Sequence, residues 1–435
     1  MDREALVFVG TCDLAGLVRG KGFPAAELPG RLRKGVGLTH SNIMMSAFGP
    51  IYDTPFGTRG DLMLVPDPTT KVEVAFEDAA ERFYLADIMT TDGEPWECCP
   101  RDFLRRGLAE LDREAQASLL AAFEQEFVYT GVEERPGATY ALDAYRRAGS
   151  FGEAYMAALR SAGLTPDSFL PEYGGRQYEV TIAPTPGVRA ADEAVIQREM
   201  ARAVAHRLGH RAILAPMLVP DGIGNGTHIH FSLRDRCDRP VMHDATAPYG
   251  LSDLGRRFVA GILRHLPALC ALTAPAVSSY YRLQPDRWAP TWANLGIQDR
   301  GASLRICPIF LPAIEEPARQ FNVEYRVADA AASPYLALGA LVWAGVDGIR
   351  RNLPLVPPAQ SDFWTMTEAE RAAAGARPLP RSLSESLGSL EATRVAKEWL
   401  GGQFLDLYIR FKRAEQRALE GLDRAEICAR YAAVY

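Results

Sequence analysis

The sequence predicts an α+β protein, and three observations predict it. Beyond about residue 97, single strands alternate with amphipathic helices. Several of those strands carry polar or ionisable residues at every second position, the pattern of a sheet with one wet face and one packed face. Ahead of residue 97, the chain reads mainly as short strands and turns.

Taken in order, residues 6–9 are a β-rich run, and residues 13–21 (DLAGLVRGK) form a strand–turn–strand pattern punctuated by glycine. Residues 62–65 and 72–76 offer further strands, separated by Pro66-Asp67-Pro68. Residues 35–61 lack a clear period and read as a long functional loop. Pro100 opens a helix whose apolar stripe passes through Phe103, Leu104, Leu108 and Leu111. A boundary near residue 97 therefore divides the chain into 1–97 and 98–435. In the second part, residues 118–129 and 177–182 are strands, and residues 150–162 and 190–208 are helices. A strand pair brackets residues 224–233. Helices follow at 252–272 and 334–350, with strands at 303–306 and 323–327 between them. Residues 357–380 look irregular, and 383–419 mostly helical.

Bulk composition narrows the function. The hydrophobic and charged fractions, 48% and 23%, are those of an ordinary globular protein. A net charge of -6 with scattered basic residues gives no support for a nucleic-acid surface. No signal-peptide pattern and no run long enough to span a bilayer is present, so neither a membrane nor an export route is expected. Seven cysteines without repeating spacing argue against a disulfide framework and suit a reducing cytoplasm. There is no P-loop, no Gly-x-Ser-x-Gly elbow and no persuasive Cys–His pair, which disfavours P-loop nucleotide binding and covalent hydrolysis.

The chemistry-bearing residues sit on strands. Residues 224–233 read GNGTHIHFSL, so His228 and His230 share one face of an extended strand, behind a glycine-rich turn that admits close backbone approach. Glu124 and Glu126 share a face of the 118–129 strand, and Glu172 and Glu179 lie on either side of a turn. Glu324 and Arg326 sit side by side two residues apart. Each alone is as well explained by a solvated strand face. Together, five carboxylates and a histidine suit a hard divalent cation such as magnesium or manganese. Arg300 and Arg305 flank a strand start, where guanidinium forks can hold phosphate or carboxylate.

In their order along the chain, these motifs resemble the glutamine synthetase superfamily. The resemblance rests on Glu124-x-Glu126, Glu172…Gln177-x-Glu179, Gly224-Asn-Gly-Thr-His228-x-His230-x-Ser232, Arg282-Leu-x-Pro, Asp299-Arg300…Arg305-Ile and Glu324-Tyr-Arg326. It implies a β-grasp-like N-terminal domain and a catalytic domain on a curved antiparallel sheet flanked by helices. It also implies self-association into stacked rings, expected as a dodecamer, and an ATP-dependent ligase that acts through a γ-glutamyl phosphate. By position, Glu126, Glu172 and Glu179 would hold one Mg2+ or Mn2+, and Glu124, His228 and Glu324 the other. His230 and Ser232 would contact ATP, and Arg300 and Arg305 would face its phosphates as the catalytic pair. Arg282, Arg326 and the backbone at Gly224 would hold glutamate.

The departures bear on the amine. Glutamine synthetases carry a glutamate where this chain has Trp288, beside Arg287, and an acidic residue in the segment matching 38–43, which here has no carboxylate. A small ammonium ion would lack its counter-charge, while an indole offers an apolar face. Arg287 also speaks against a polyamine. An aromatic or small hydrophobic amine is the expected partner of glutamate, with Trp288 in the amine pocket; the alternatives are an ordinary glutamine synthetase using ammonium, or a catalytically silent structural or binding member of the family. An aromatic amine is neutral at pH 7, whereas an alkyl amine resembles lysine with a pKa of about 10.4. Asn322 stands where some relatives carry an arginine that assists the nucleotide phosphates.

Overall fold

In the computed structural model, residues 3–57, 59–285, 287–310, 312, 316–358 and 363–435 are described. The first 96 residues build a six-stranded sheet from β1 (Leu6–Cys12), β2 (Val18–Pro24), β3 (Val36–Thr39), β4 (Asp61–Pro66), β5 (Val72–Ala75) and β6 (Ala80–Thr90). The order is β2-β1-β6-β4-β3, with β5 also on β6, and β1 and β6 run parallel. The sequence reading lacked β6. Its centre, Phe83 to Ala86, is buried at four consecutive positions, so no alternation of apolar and polar residues marks it. The predicted 35–61 loop contains the short strand β3, too brief and glycine-broken to show a period.

The second sheet has nine strands: β7 (Ala117–Tyr129), β8 (Pro166–Pro171), β9 (Gln177–Ile182), β10 (Thr185–Pro186), β11 (Ala212–Ile213), β12 (Thr227–Asp235), β14 (Leu295–Ile297), β15 (Leu304–Ile306) and β16 (Val323–Tyr325). The short β13 (Trp292–Ala293) pairs instead with β17 (Arg377–Pro378). The main path runs β14-β15-β16-β12-β7-β9-β8, and every pair is antiparallel except β14–β15. Alternation along β7 and β12 is regular. Phe123, Gln125, Phe127, Ile229 and Phe231 are buried on the underside, against helices, which leaves Glu124, Glu126, His228 and His230 on the opposite face.

On that underside, helices Val188–Arg207 and Pro100–Ala115 pack on β7, and beside them lie Asp253–Thr273 and Pro334–Arg350. The last two cross where glycines meet. A Cβ added to Gly348 would lie 2.1 Å from the Arg257 carbonyl oxygen, and one on Gly261 would lie 2.0 Å from that of Ala344. Helix backbones approach this closely only without side chains between them. The region predicted as irregular holds a short helix, Glu368–Ala373, closed by a Thr367/Glu370 capping box; its residues 359–362 lie outside the described chain. The tail carries a fourth helix beyond the predicted end, Arg424–Val434, with an Asp423/Glu426 capping box.

The N-terminal sheet is tied to the helices beneath the larger sheet by Arg101, 2% exposed at the start of its helix. Its guanidinium donates to Asp87 (3.0 Å), to Asp67 (2.7 Å) and twice to Asp192 (3.0 and 2.8 Å), and Tyr335 donates to Asp192 (2.7 Å). Among the described residues, no helix is long and apolar enough to cross a membrane. All seven cysteines are free thiols, and Cys237 alone is exposed.

Candidate active site

Strand register lines the site residues up in rows. His228 lies opposite Glu124, and Glu126 opposite Glu179. On the other side, His230 lies opposite Glu324, which in turn lies opposite Arg305. These residues form the floor of a cavity of about 1580 Å³, which Glu172, Gly224, Ser232, Arg282, Trp288, Arg300 and Arg326 also line. Every site residue singled out in the sequence therefore borders one space.

The donors converge closely. His228 Nδ1 is 3.2 Å from Glu124 and 3.5 Å from Glu324, and its Nε2 is 3.8 Å from Glu126. His230 Nε2 faces Glu124 Oε1 at 3.0 Å. Glu124, Glu179 and His228 each place a ligand atom within 4.8 Å of the others. Glu126 accepts from the Gly226 amide at 2.7 Å and from Gln177 at 3.3 Å, while the same Gln177 amide donates to the Gly224 carbonyl at 2.8 Å. Glu172, just past β8, accepts from Tyr140 and from the Tyr173 amide, both at 3.0 Å. The glycines of the turn are required by proximity. A Cβ on Gly224 would meet Arg282 Cγ at 2.6 Å, and one on Gly226 would meet His228 Nε2 at 3.0 Å.

The electrostatics show a cluster in need of positive charge. Burial, then repulsion from Glu124, Glu126, Glu172 and Glu324, pushes the Glu179 carboxyl well above its ordinary range. Burial and Glu126 raise Glu172 as well. Burial also opposes ionisation of Glu124, but hydrogen bonds from His228 and His230 outweigh it and hold that carboxyl well below the usual range. Glu324 is likewise lowered, against burial, by His228 and Arg326. Burial lowers His230, but Cys307 and Glu124 overcome it and raise the imidazole. A carboxylate-rich donor set of this kind fits hard divalent cations, which relieve the repulsion.

The arginines are unequal. Arg305 is buried and donates to Glu324 at 2.8 Å, and Arg326 pairs with the other oxygen of Glu324. Arg282 is buried, ties one end of its fork to the Val327 and Ala328 carbonyls, and leaves Nε without a partner. Arg300 is exposed on the cavity wall. Trp288 is 71% exposed, has a left-handed backbone (φ 54°) and stacks on Tyr173 with ring centroids 6.3 Å apart.

Sequence reasoning missed four features here. Tyr173 stacks on Trp288, and Tyr140 on the same cavity wall donates to Glu172; nothing in their local sequence signals either contact. Arg287 is not a free charge: it donates to the Gly222 carbonyl (2.8 Å) and to Asp221 (3.0 Å). The sequence offers no persuasive Cys–His pair, yet Cys307 Sγ lies 3.7 Å from His230 Nδ1. The two residues are far apart in the chain, although the period-two offset of Cys307 from Arg305 hinted at a shared face. Finally, Asn322, noted only as a missing arginine, pairs through Oδ1 with His230 Nδ1 at 2.8 Å.

Comparison with known proteins agrees with this geometry. Residues 97–429 match the glutamine synthetase catalytic domain, and residues 2–96 match the glutamine synthetase N-terminal domain. A gamma-glutamylpolyamine synthetase from Streptomyces coelicolor is 33% identical over 98% of this chain and 92% of its own length. A glutamine synthetase from Pyrococcus furiosus is 30% identical over 94% of this chain and 88% of its own. The crystal structure of a novel glutamine synthase homolog, 39% identical, covers 100% of this chain and 99% of its own with a TM-score of 0.92. With the two family models matched over residues 2–96 and 97–429 and its donor rows in register, the chain belongs to the glutamine synthetase family.

Proposed function

We propose that this chain is an ATP-dependent ligase that joins an amine to the γ-carboxylate of glutamate through a γ-glutamyl phosphate. The observation that carries the reading is the convergence of five carboxylates and two imidazoles on one sheet face, with Arg282, Arg300, Arg305 and Arg326 around them. In this reading Glu126, Glu172 and Glu179 hold one Mg2+ or Mn2+, and Glu124, His228 and Glu324 hold the other. The bound ions supply charge neutralisation for phosphoryl transfer. His230 and Ser232 contact the nucleotide, and Arg300 and Arg305 face its phosphates. Arg282, Arg326 and the Gly224 backbone position glutamate. Subunits assemble into rings, a dodecamer by the family's pattern, in the cytoplasm, with the chain divided at 97/98.

The amine is aromatic or small and hydrophobic. Supporting this, Trp288 presents an exposed indole at the cavity wall beside Tyr173, and segment 38–43 brings no carboxylate. A specific observation also favours a second reading, a polyamine. Arg287 is neutralised by Asp221, which removes the charge objection, and the Streptomyces coelicolor relative is named for polyamines. Phosphate release with glutamate, ATP and Mg2+ across ammonium, methylamine, isopropylamine, aniline and putrescine separates these. Activity greatest with aniline or isopropylamine supports the first reading, and putrescine alone supports the second. Activity with ammonium alone sinks both.

A further inference from the structure

We propose that His230, Cys307 and Glu324 form a site for a thiophilic divalent cation, zinc, which overlaps the magnesium and nucleotide positions through Glu324 and His230. The three side chains each place a ligand atom within 4.8 Å of the others. Cys307 Sγ is 3.7 Å from His230 Nδ1 and 4.0 Å from Glu324 Oε2. A tetrahedral zinc with ordinary Zn–N, Zn–O and Zn–S bonds separates such donors by roughly 3.5 Å, so the two distances from sulfur need to close by only about half an ångström or less. The surroundings suit the role. With the metal on Nδ1, the other ring nitrogen of His230 lies within ion-pair distance of Glu124 Oε1, at 3.0 Å. The Glu324 oxygens each keep a lone pair beyond their bonds to Arg305 and Arg326. Zinc displaces the 2.8 Å contact of His230 Nδ1 with Asn322, whose amide oxygen or a water is then free for the fourth position.

The balance is simple: the thiol proton leaves to solvent and an S–Zn bond forms, with no change of oxidation state. Sulfur distinguishes this site from the carboxylate set beside it, because thiolates select zinc over magnesium or manganese. Binding stands on side-chain geometry and not on the ligase reading. The consequence does rest on that reading: zinc takes Glu324 and His230 from magnesium and nucleotide, and holds the chain out of turnover.

Co2+, a spectroscopic stand-in for zinc, titrated into the full chain tests the site without any substrate. The expected result is a sulfur-to-cobalt charge-transfer band in the near ultraviolet that saturates at one ion per chain. It survives excess Mg2+, is bleached by Zn2+, and is lost in Cys307→Ser but kept in Cys237→Ser, which alters the exposed thiol. Zinc affinity in Cys307→Ser falls by about 100-fold or more, the upper end of what even an outer-shell change costs. A wild-type chain without the band overturns the proposal whatever the variants do, as does a band that persists in Cys307→Ser. Cys307→Ala serves as the second variant if the serine form does not fold. Zinc inhibition of phosphate release, unequal between wild type and Cys307→Ser, then tests the consequence separately.

Discussion

At the scale of single residues, the site combines groups with one job and groups with two. Arg305 holds Glu324 and, in the proposed reaction, faces phosphate. Arg305→Lys keeps the charge but loses the fork, so turnover should fall on the order of 10³-fold, as for other phosphoryl-transfer arginines, with thermal stability little changed. Steady-state phosphate release and a melting curve check the two halves. Trp288 offers a cleaner separation. A non-glycine residue at φ 54° costs roughly 1–2 kcal/mol. Trp288→Gly should therefore keep or raise the melting temperature while raising KM for the amine. A lowered melting temperature with unchanged KM would show that the indole only packs its loop. The presence of Trp288 at the cavity was readable as a departure from the family pattern. Its contact with Tyr173 was not, since the two meet only across the cavity mouth.

At the scale of elements, alternation made β7, β9 and β12 legible, because one face of each strand is packed and the other lines the cavity. β6 was not, because both its faces are buried. The Arg424–Val434 helix was missed although its capping box stands in the sequence. The helix crossing at Gly261 and Gly348 makes a firm test. Gly348→Ala forces a methyl group onto the Arg257 carbonyl, and should destabilise the fold by about 1–3 kcal/mol, read as a fall of several degrees in melting temperature. Gly226→Ala behaves differently, because its new Cβ meets a side chain, His228, and not backbone. It should leave the melting temperature of the metal-free chain almost unchanged while weakening divalent-ion binding on the order of 10-fold, measured by thermal shift against Mn2+ concentration.

At the scale of the molecule, Arg101 joins the N-terminal sheet to the helices beneath the larger one. Removing it leaves Asp192, itself 2% exposed, without its charge partner. Arg101→Met should cost about 3–5 kcal/mol. The network also sets a pH limit. Burial raises the Asp67 carboxyl, but hydrogen bonds from Thr69 and Arg101 prevail and leave it below its usual value. A carboxyl depressed in the folded state stabilises above its unfolded pKa of about 3.9, and that contribution fades as pH falls through the lower folded value. Melting curves from neutral pH down to about 3 should therefore show a loss below about pH 4 that is smaller in Asp67→Asn.

What the sequence by itself determined is the set of local facts. Period-two patterning gave the strand faces, and the order of motifs gave the family and the five glutamates and two histidines that border the cavity. Only the tertiary structure decided which groups share charge. It paired Arg287 with Asp221, set Cys307 against His230, and stacked Tyr173 on Trp288. The reason is physical. Alternation is a property of consecutive residues and survives in a linear string. An ion pair or a shared ligand position depends on distances between strands and loops far apart in the chain, and those distances are set by sheet register and by how closely the helices beneath can pack.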